Sequence, residues 1–381
     1  MKKLSQILSY VLVAAMAAFI TLALSGNAGQ WGKLSEIKAV IDSYFIEEYD
    51  EQAMEDAMAS AMIDALEDRW SYYMTAGEYQ AYKEQMSNSY VGIGITITVR
   101  EDGYIDIRKV ETGSPAEEAG VLPEDVLCAV EGQDVRDLSL DQIRDLIRGE
   151  AGTQVNVSFQ RKEETFTVPI ARKHIQTVVA KGKMLPDGMG LVTIENFDSR
   201  CKDETVTAIE SLLEQGAKAL IFDVRNNPGG YKTELVALLD YLLPEGPLFR
   251  SEDYTGAEDV DESDARCLEI PMAVLVNEDS YSAAEFFAAA LSEYDAAIVV
   301  GTPTTGKGHF QNSFEISDGS ALVISVGRYR TPDGVCLDGV GLTPDVIEEV
   351  DLETYQQIYY ESLVPEADPQ IQAAIAALKS Q

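Results

Sequence analysis

Three segments of this sequence combine residue types that could assemble a nucleophile, a base and an oxyanion site. In Glu278-Asp279-Ser280-Tyr281-Ser282-Ala283-Ala284-Glu285, a serine at a helix N-terminus with small neighbours is open to attack, and the N–H of Ala283 could help bind an oxyanion. Ser282 with Glu285 three residues later is also a capping box, which is the plainer use of the same residues. Gly306-Lys307-Gly308-His309-Phe310-Gln311 sets a lysine between two glycines, and burial would lower its pKa enough for it to act as a neutral base. The plainer alternative is an exposed turn lysine, and the segment lacks the phosphate-binding GxxxxGK[ST] pattern. Asn226-Asn227-Pro228-Gly229-Gly230 places a glycine pair just before a helix. Its N–H groups could hold a developing oxyanion, or the pair could serve only to make a tight turn. His309 would be an alternative base for a Ser/His arrangement, but the sequence marks no Asp partner for it or for His174.

These segments must be held by the elements around them. Predicted strands at 189–195, 218–224, 272–277 and 296–300 alternate with predicted helices at 203–215, 232–243 and 282–293, which argues for a layered α/β core. The three candidate loops leave its strands at their C-terminal ends, where open α/β sheets place their sites. Two further strands are expected around 309–329. Upstream, residues 33–86 read as helical, with Ile37, Val40, Ile41 and Phe45 on one stripe and Met58, Met62 and Leu66 on another. From Val91 the period changes to two, and a compact mixed unit follows to about Arg172, with strands at 126–130, 154–160 and 165–171 and helices at 115–120 and 139–148. The acidic stretch from Glu258 to Asp264 reads as a solvated loop.

The chain has 381 residues and 46% hydrophobic content, enough for two or three domains with real cores. Its 29 basic and 65 acidic residues give a net charge of -36, which argues against nucleic acid as a partner because no basic patch exists to neutralise phosphates. Lys2 and Lys3 precede an uncharged run from Ile7 to Leu24, so export is expected, with the run kept as a membrane anchor or cleaved near Gly26-Asn27-Ala28. Cys128, Cys201, Cys267 and Cys336 are scattered singly and read as buried structural residues. Two histidines leave little scope for a metal site, and none is expected.

Taken together, the three segments resemble the carboxyl-terminal processing (tail-specific) serine protease family, whose lysine follows its nucleophile by the 25 positions that separate Ser282 from Lys307. The resemblance implies Ser282, rather than Ser280, as nucleophile, Lys307 as base, Gln311 as the residue orienting the amine, and Gly229 with Ala283 as the oxyanion hole, with Gly230 open as an alternative. Tyr90-Val91-Gly92-Ile93-Gly94-Ile95, Gly113-Ser114-Pro115-Ala116-Glu117-Glu118-Ala119-Gly120 and Leu146-Ile147-Arg148-Gly149 resemble the family's PDZ domain. There Val91, Gly92, Ile93 and Gly94 would offer the loop that receives a peptide's C-terminal carboxylate. Thr331-Pro332-Asp333-Gly334 and Gly341-Leu342-Thr343-Pro344-Asp345 also match. Tyr281, Ala284 and Glu124 depart from the family pattern without removing a catalytic group.

The implied fold is α/β and α+β multidomain, a layered α/β protease core with an inserted PDZ domain and N-terminal helices. The expected divisions are 1–28 signal peptide or anchor, 29–87 helical region, 88–172 PDZ domain, 173–350 protease core and 351–381 C-terminal helical region. The implied function is a serine endopeptidase that cleaves exported or membrane-associated proteins near their C-termini, needs no cofactor and is extracytoplasmic. It would meet the membrane through its N-terminal segment and could form a homo-oligomer. A non-catalytic PDZ scaffold binding C-terminal peptides, and an acyl-CoA enzyme with a glycine-rich oxyanion hole, are the rival readings. The latter does not account for the PDZ-like insertion.

Overall fold

The computed structural model describes residues 32–100, 102–360 and 362–380. The expected signal peptide or anchor at 1–28 lies outside them, and among the described residues no helix is long and apolar enough to cross a membrane. The chain divides into two compact units, residues 1–61 and 62–381. In the first, helix α1 covers 32–44 and most of helix α2 (Glu51–Asp64) follows. Within α1 the expected apolar residues Ile37 and Val40 are exposed.

The second unit opens with a departure from the helical reading of residues 33–86. Tyr72–Met74 forms strand β1, which pairs antiparallel with Ala321–Arg330. Adjacent aromatic residues suit a pleated surface better than a helix, and Met74 is buried on Ala321 and Val323. The helical pattern resumes in α3 (Ala76–Met86), which Thr75 and Glu78 start as a capping box.

Strands β2 (Ser89–Gly92) and β9 (Lys173–Gln176) pair antiparallel and bracket the inserted domain. Between them β3 (Ile95–Val99), β4 (Ile105–Val110), β5 (Val126–Val130), β6 (Gln133–Asp134), β7 (Gln154–Arg161) and β8 (Glu164–Ala171) form an antiparallel sheet. Helices α4 (Pro115–Glu118) and α5 (Leu140–Ile147) are capped by Ser114 and Ser139. Alternate residues such as Val155, Val157 and Phe159 pack inward with Ile105, Ile107 and Ile143, giving this sheet its own core.

The larger sheet runs in the order β10 (Ala180–Leu185), β11 (Met189–Ile194), β12 (Ala219–Asp223), β15 (Met272–Val276), β16 (Ala297–Gly301) and β19 (Val346–Ile347), parallel from β11 onward. Its strands are apolar on both faces, and the period of two assigns each residue to one side. Val192, Leu220, Phe222, Val274, Val276 and Val299 pack in one cluster with residues of α6 (Cys201–Glu214), α7 (Lys232–Leu242) and α8 (Ala283–Glu293). Leu191, Ile221, Ala273, Leu275 and Val300 form another with Ile371, Ala374 and Leu378 of α10 (Pro369–Lys379). Helix α9 (Leu352–Tyr359) leads toward α10.

A further sheet joins β1, β18 (Ala321–Arg330), β13 (Gly246–Asp253) and β14 (Glu258–Ser263), with β17 (His309–Glu315) also on β18. The acidic stretch expected as a loop is therefore mostly strand β14, paired with β13. It lies at the sheet's edge, where exposed carboxylates cost little and discourage pairing with another chain. Of the four free cysteines, Cys201 alone is buried; Cys267 is exposed and Cys128 and Cys336 are intermediate.

Candidate active site

Three loops converge beyond the C-terminal ends of β12, β15 and β16, and side-chain amides lock them together. The Asn226 N–H donates to Asn277 Oδ1 and Asn277 Nδ2 to Asn226 Oδ1, each at 2.8 Å, while Asn227 Nδ2 donates to Ile194 O at 2.7 Å. Ser280 is fully buried and its Oγ donates to Val224 O at 2.7 Å. That bond joins the β12 and β15 loops and consumes the hydroxyl, so Ser280 serves structure.

Ser282 differs. It is the N-cap of α8 but has φ 57° and ψ -125°, and the expected capping box with Glu285 is present. A non-glycine residue in such a conformation is strained by about 1–3 kcal/mol, as where a sharp strand-to-helix turn presents a nucleophile. The hydroxyl also meets Tyr329, whose Oη donates to Ser282 Oγ at 3.1 Å.

Glu285, one turn into α8, is fully buried. Its carboxylate accepts from the Ser282 N–H at 3.0 Å, Gly306 N–H at 2.6 Å, Lys307 N–H at 2.9 Å and Thr304 Oγ1 at 2.5 Å. One side chain thus ties the Ser282 turn to the Lys307 loop. Burial raises its pKa, against the pull of these donors.

The Lys307 ammonium lies over two aromatic rings, 4.7 Å from the centroid of Trp70 and 5.9 Å from that of Tyr281, which are themselves stacked at 5.8 Å. Burial lowers its pKa to about 8; the carboxylates of Glu285 and Asp68 oppose this and Arg69 adds to it. Among the described residues, no hydrogen bond links Lys307 Nζ to Ser282 Oγ, so proton transfer requires the amine to turn from the indole toward the serine. Such closing is ordinary between a free site and one holding substrate.

The glycine pair abuts Ser282. A Cβ on Gly229 would sit 2.8 Å from both Ser282 Cβ and the Ala283 nitrogen, so only glycine allows this approach. The Gly229 N–H donates to Asn227 Oδ1 at 2.8 Å.

A family model described as peptidase family S41 matches residues 188–348, and one described as a PDZ domain matches residues 107–161. The "Carboxy-terminal processing protease CtpA" of Bacillus subtilis (strain 168) is 31% identical over 376 residues, spanning 94% of this chain and 80% of that protein. The "Probable CtpA-like serine protease" of Staphylococcus aureus (strain N315) is 30% identical over 362 residues, spanning 92% and 72%. The chain belongs to peptidase family S41. Among solved structures, a photosystem II D1 C-terminal processing protease is similar, with a TM-score of 0.51, 28% identity and coverage of 91% of this chain and 94% of that one. This S41 chain is accordingly a serine peptidase of the carboxyl-terminal processing type with a PDZ domain.

Of the expected site residues, Ser282 and Ala283 at the start of α8, Gly229 and Lys307 come from three separate loops. Gln311 is not brought onto the amine: its Nε2 donates to His309 O and Ser325 Oγ, each at 3.1 Å. His309 does have an acidic partner, Asp338 Oδ1 at 3.1 Å from Nδ1, while Nε2 accepts from Arg328 Nε at 3.3 Å. Both ring nitrogens are therefore engaged away from Ser282, which disfavours the histidine alternative. In the PDZ domain, Val91 and Gly92 lie in paired strand β2, and Ile93 O and Gly94 O accept from the Ala116 and Glu111 N–H groups at 2.9 Å.

Sequence reasoning missed Trp70 and Tyr329 and saw Glu285 only as a cap. Tyr329 adjoins the Thr331-Pro332-Asp333-Gly334 motif, which could have flagged it. Trp70 is 237 positions from Lys307, and no local pattern announces it.

Proposed function

We propose that this S41 peptidase cuts exported or membrane-associated proteins near their C-termini, with Ser282 as nucleophile and Lys307 as general base. The carrying observation is the single buried Glu285 carboxylate holding both loops beside a lysine whose pKa is lowered to about 8. Neutral Lys307 takes the Ser282 hydroxyl proton as Oγ attacks the peptide carbonyl. The ammonium then returns the proton to the departing amine, and water releases the acyl group by the same base. The Ala283 N–H and the glycine pair receive the oxyanion. Gly229 serves once its N–H leaves Asn227 Oδ1, and among the described residues the neighbouring Gly230 N–H has no partner to give up. Gln311 is the residue expected to orient the amine once it has turned from Trp70.

The PDZ loop from Val91 to Gly94 receives the substrate's C-terminal carboxylate on backbone N–H groups while the tail adds as a strand. Chemistry at the N-terminus, two lysines before an uncharged run, supports export with the segment as a membrane anchor. The test is digestion of an unfolded protein by the wild type and two variants. Ser282→Ala and Lys307→Ala each abolish cleavage while circular dichroism stays native. Near-normal cleavage by Lys307→Ala, with loss in His309→Ala, overturns the assignment.

A further inference from the structure

Asp198 is a buried carboxylate beside this site that the proposed reaction leaves unused. It is only 4% exposed, and its Oδ1 has no hydrogen-bond partner among the described residues. A buried carboxylate without a partner is costly unless it has a function or stays protonated. Its place is fixed by backbone bonds. The Phe197 N–H donates to Gly229 O at 2.7 Å and the Tyr231 N–H to Phe197 O at 2.8 Å. A Cβ on Gly230 would come within 2.6 Å of the Asp198 nitrogen. Asp198 therefore flanks the glycine pair on one side while Ser282 flanks it on the other. The next residue ties the segment to the end of α3, where the Ser199 N–H donates to Met86 O at 3.3 Å.

The surroundings are aromatic. Burial raises the pKa values of Tyr82, Tyr231 and Tyr281, and the Asp198 charge adds a smaller push to each. Tyr281 is next to the nucleophile, and Tyr72, raised by burial first, also feels Tyr281. Tyr72 and Tyr231 are each 41% exposed, so the group opens to solvent at its rim. Burial pushes the Asp198 carboxyl up to about 7, and the Glu234 carboxylate adds to the rise. Among the described residues no cation offsets that charge: Arg200, two residues on, pairs with Glu204 at 3.1 Å and donates to Asn88 O and Thr177 O.

An unpartnered buried carboxylate beside the glycine pair attracts a cation by charge, and nearby phenols add to that attraction. We infer that Asp198 and Tyr82, Tyr231 and Tyr281 form a specificity subsite for a basic side chain, lysine or arginine, of the substrate next to the scissile bond. The inference rests on the peptidase reading above and deepens it. A neutral isostere of lysine would leave the carboxylate unpaired, which is the basis of discrimination.

The test uses the full chain and sets of otherwise identical peptides carrying lysine, norleucine or glutamate at each of the two positions on either side of the cleaved bond. At one position, lysine exceeds norleucine by about tenfold or more in kcat/KM, and in Asp198→Asn that ratio falls to about one. Absence of a lysine preference at every position, or its persistence in Asp198→Asn, overturns the subsite while leaving the peptidase intact. Thermal melting gives a second readout: Asp198→Asn removes an unpaired buried carboxylate and raises Tm above pH 7. A large fall in Tm would mean that Asp198 holds the fold, and would also overturn the subsite. If no peptide is cleaved and a fluorophosphonate fails to label Ser282, the peptidase reading fails first and takes the subsite with it.

Discussion

As the proposed base, Lys307 must give up its proton near neutral pH, and burial is what makes that accessible. Its pKa falls from 10.5 to about 8, so at neutral pH most molecules hold the inactive ammonium over Trp70. The rate, kcat/KM, should climb as pH rises and level off above about 8, measured with one peptide from pH 6 to 10. The same shift has a stability sign. A lysine whose folded pKa is depressed destabilises the fold fully below about 8, and the penalty is relieved as pH rises from there to 10.5. Lys307→Met, which keeps the volume and removes the charge, should therefore melt higher than wild type at pH 7 and lose this advantage toward pH 10.5. Melting curves at the two pH values check it. At this scale the sequence was informative about residue types and spacing, but silent on Trp70, because a ring that meets Lys307 across 237 positions leaves no local pattern.

Among the elements, α8 does the positioning. Its first turn supplies both the strained Ser282 and the Glu285 carboxylate that reaches across to Gly306, Lys307 and Thr304. In Glu285→Gln one carboxylate oxygen becomes an NH2 that faces donors, leaving two of them unsatisfied at about 1–3 kcal/mol each. The expected result is a lower Tm together with a fall in kcat of tenfold or more, as the two loops lose their common anchor; an unchanged kcat would show that the loops hold register without it. The alternating strands and helices from 189 to 300 were legible because buried parallel strands are continuous apolar runs between turn residues. Strand β1 and strand β14 were not. Each is short or acidic and owes its pairing to a partner distant in sequence, which outweighs local pattern.

Across the whole molecule, the C-terminal segment is fastened to the site through Arg225, the residue before Asn226. It is 4% exposed as a side chain and pairs with Asp223 at 2.5 Å and Asp368 at 2.9 Å, while Nη1 donates to Gln370 at 2.8 Å. Arg225→Ala strands buried carboxylates and should cost about 3–5 kcal/mol of stability, read by urea unfolding. Activity should fall further than the unfolded fraction explains, because the Gly229 loop begins at this residue. Nothing in the sequence joined Arg225 to Asp368, since a buried ion pair spanning 143 positions has no periodic signature. The intact chain is also the reagent for the most direct test of the Ser282 and Lys307 pair, the rate of fluorophosphonate labelling as a function of pH. The wild type should label at Ser282 with a rate rising to a plateau above about pH 8. Lys307→Ala should label at least a hundredfold more slowly, and Ser282→Ala not at all. A Lys307→Ala variant that labels as fast as wild type, with the same pH dependence, would contradict the account.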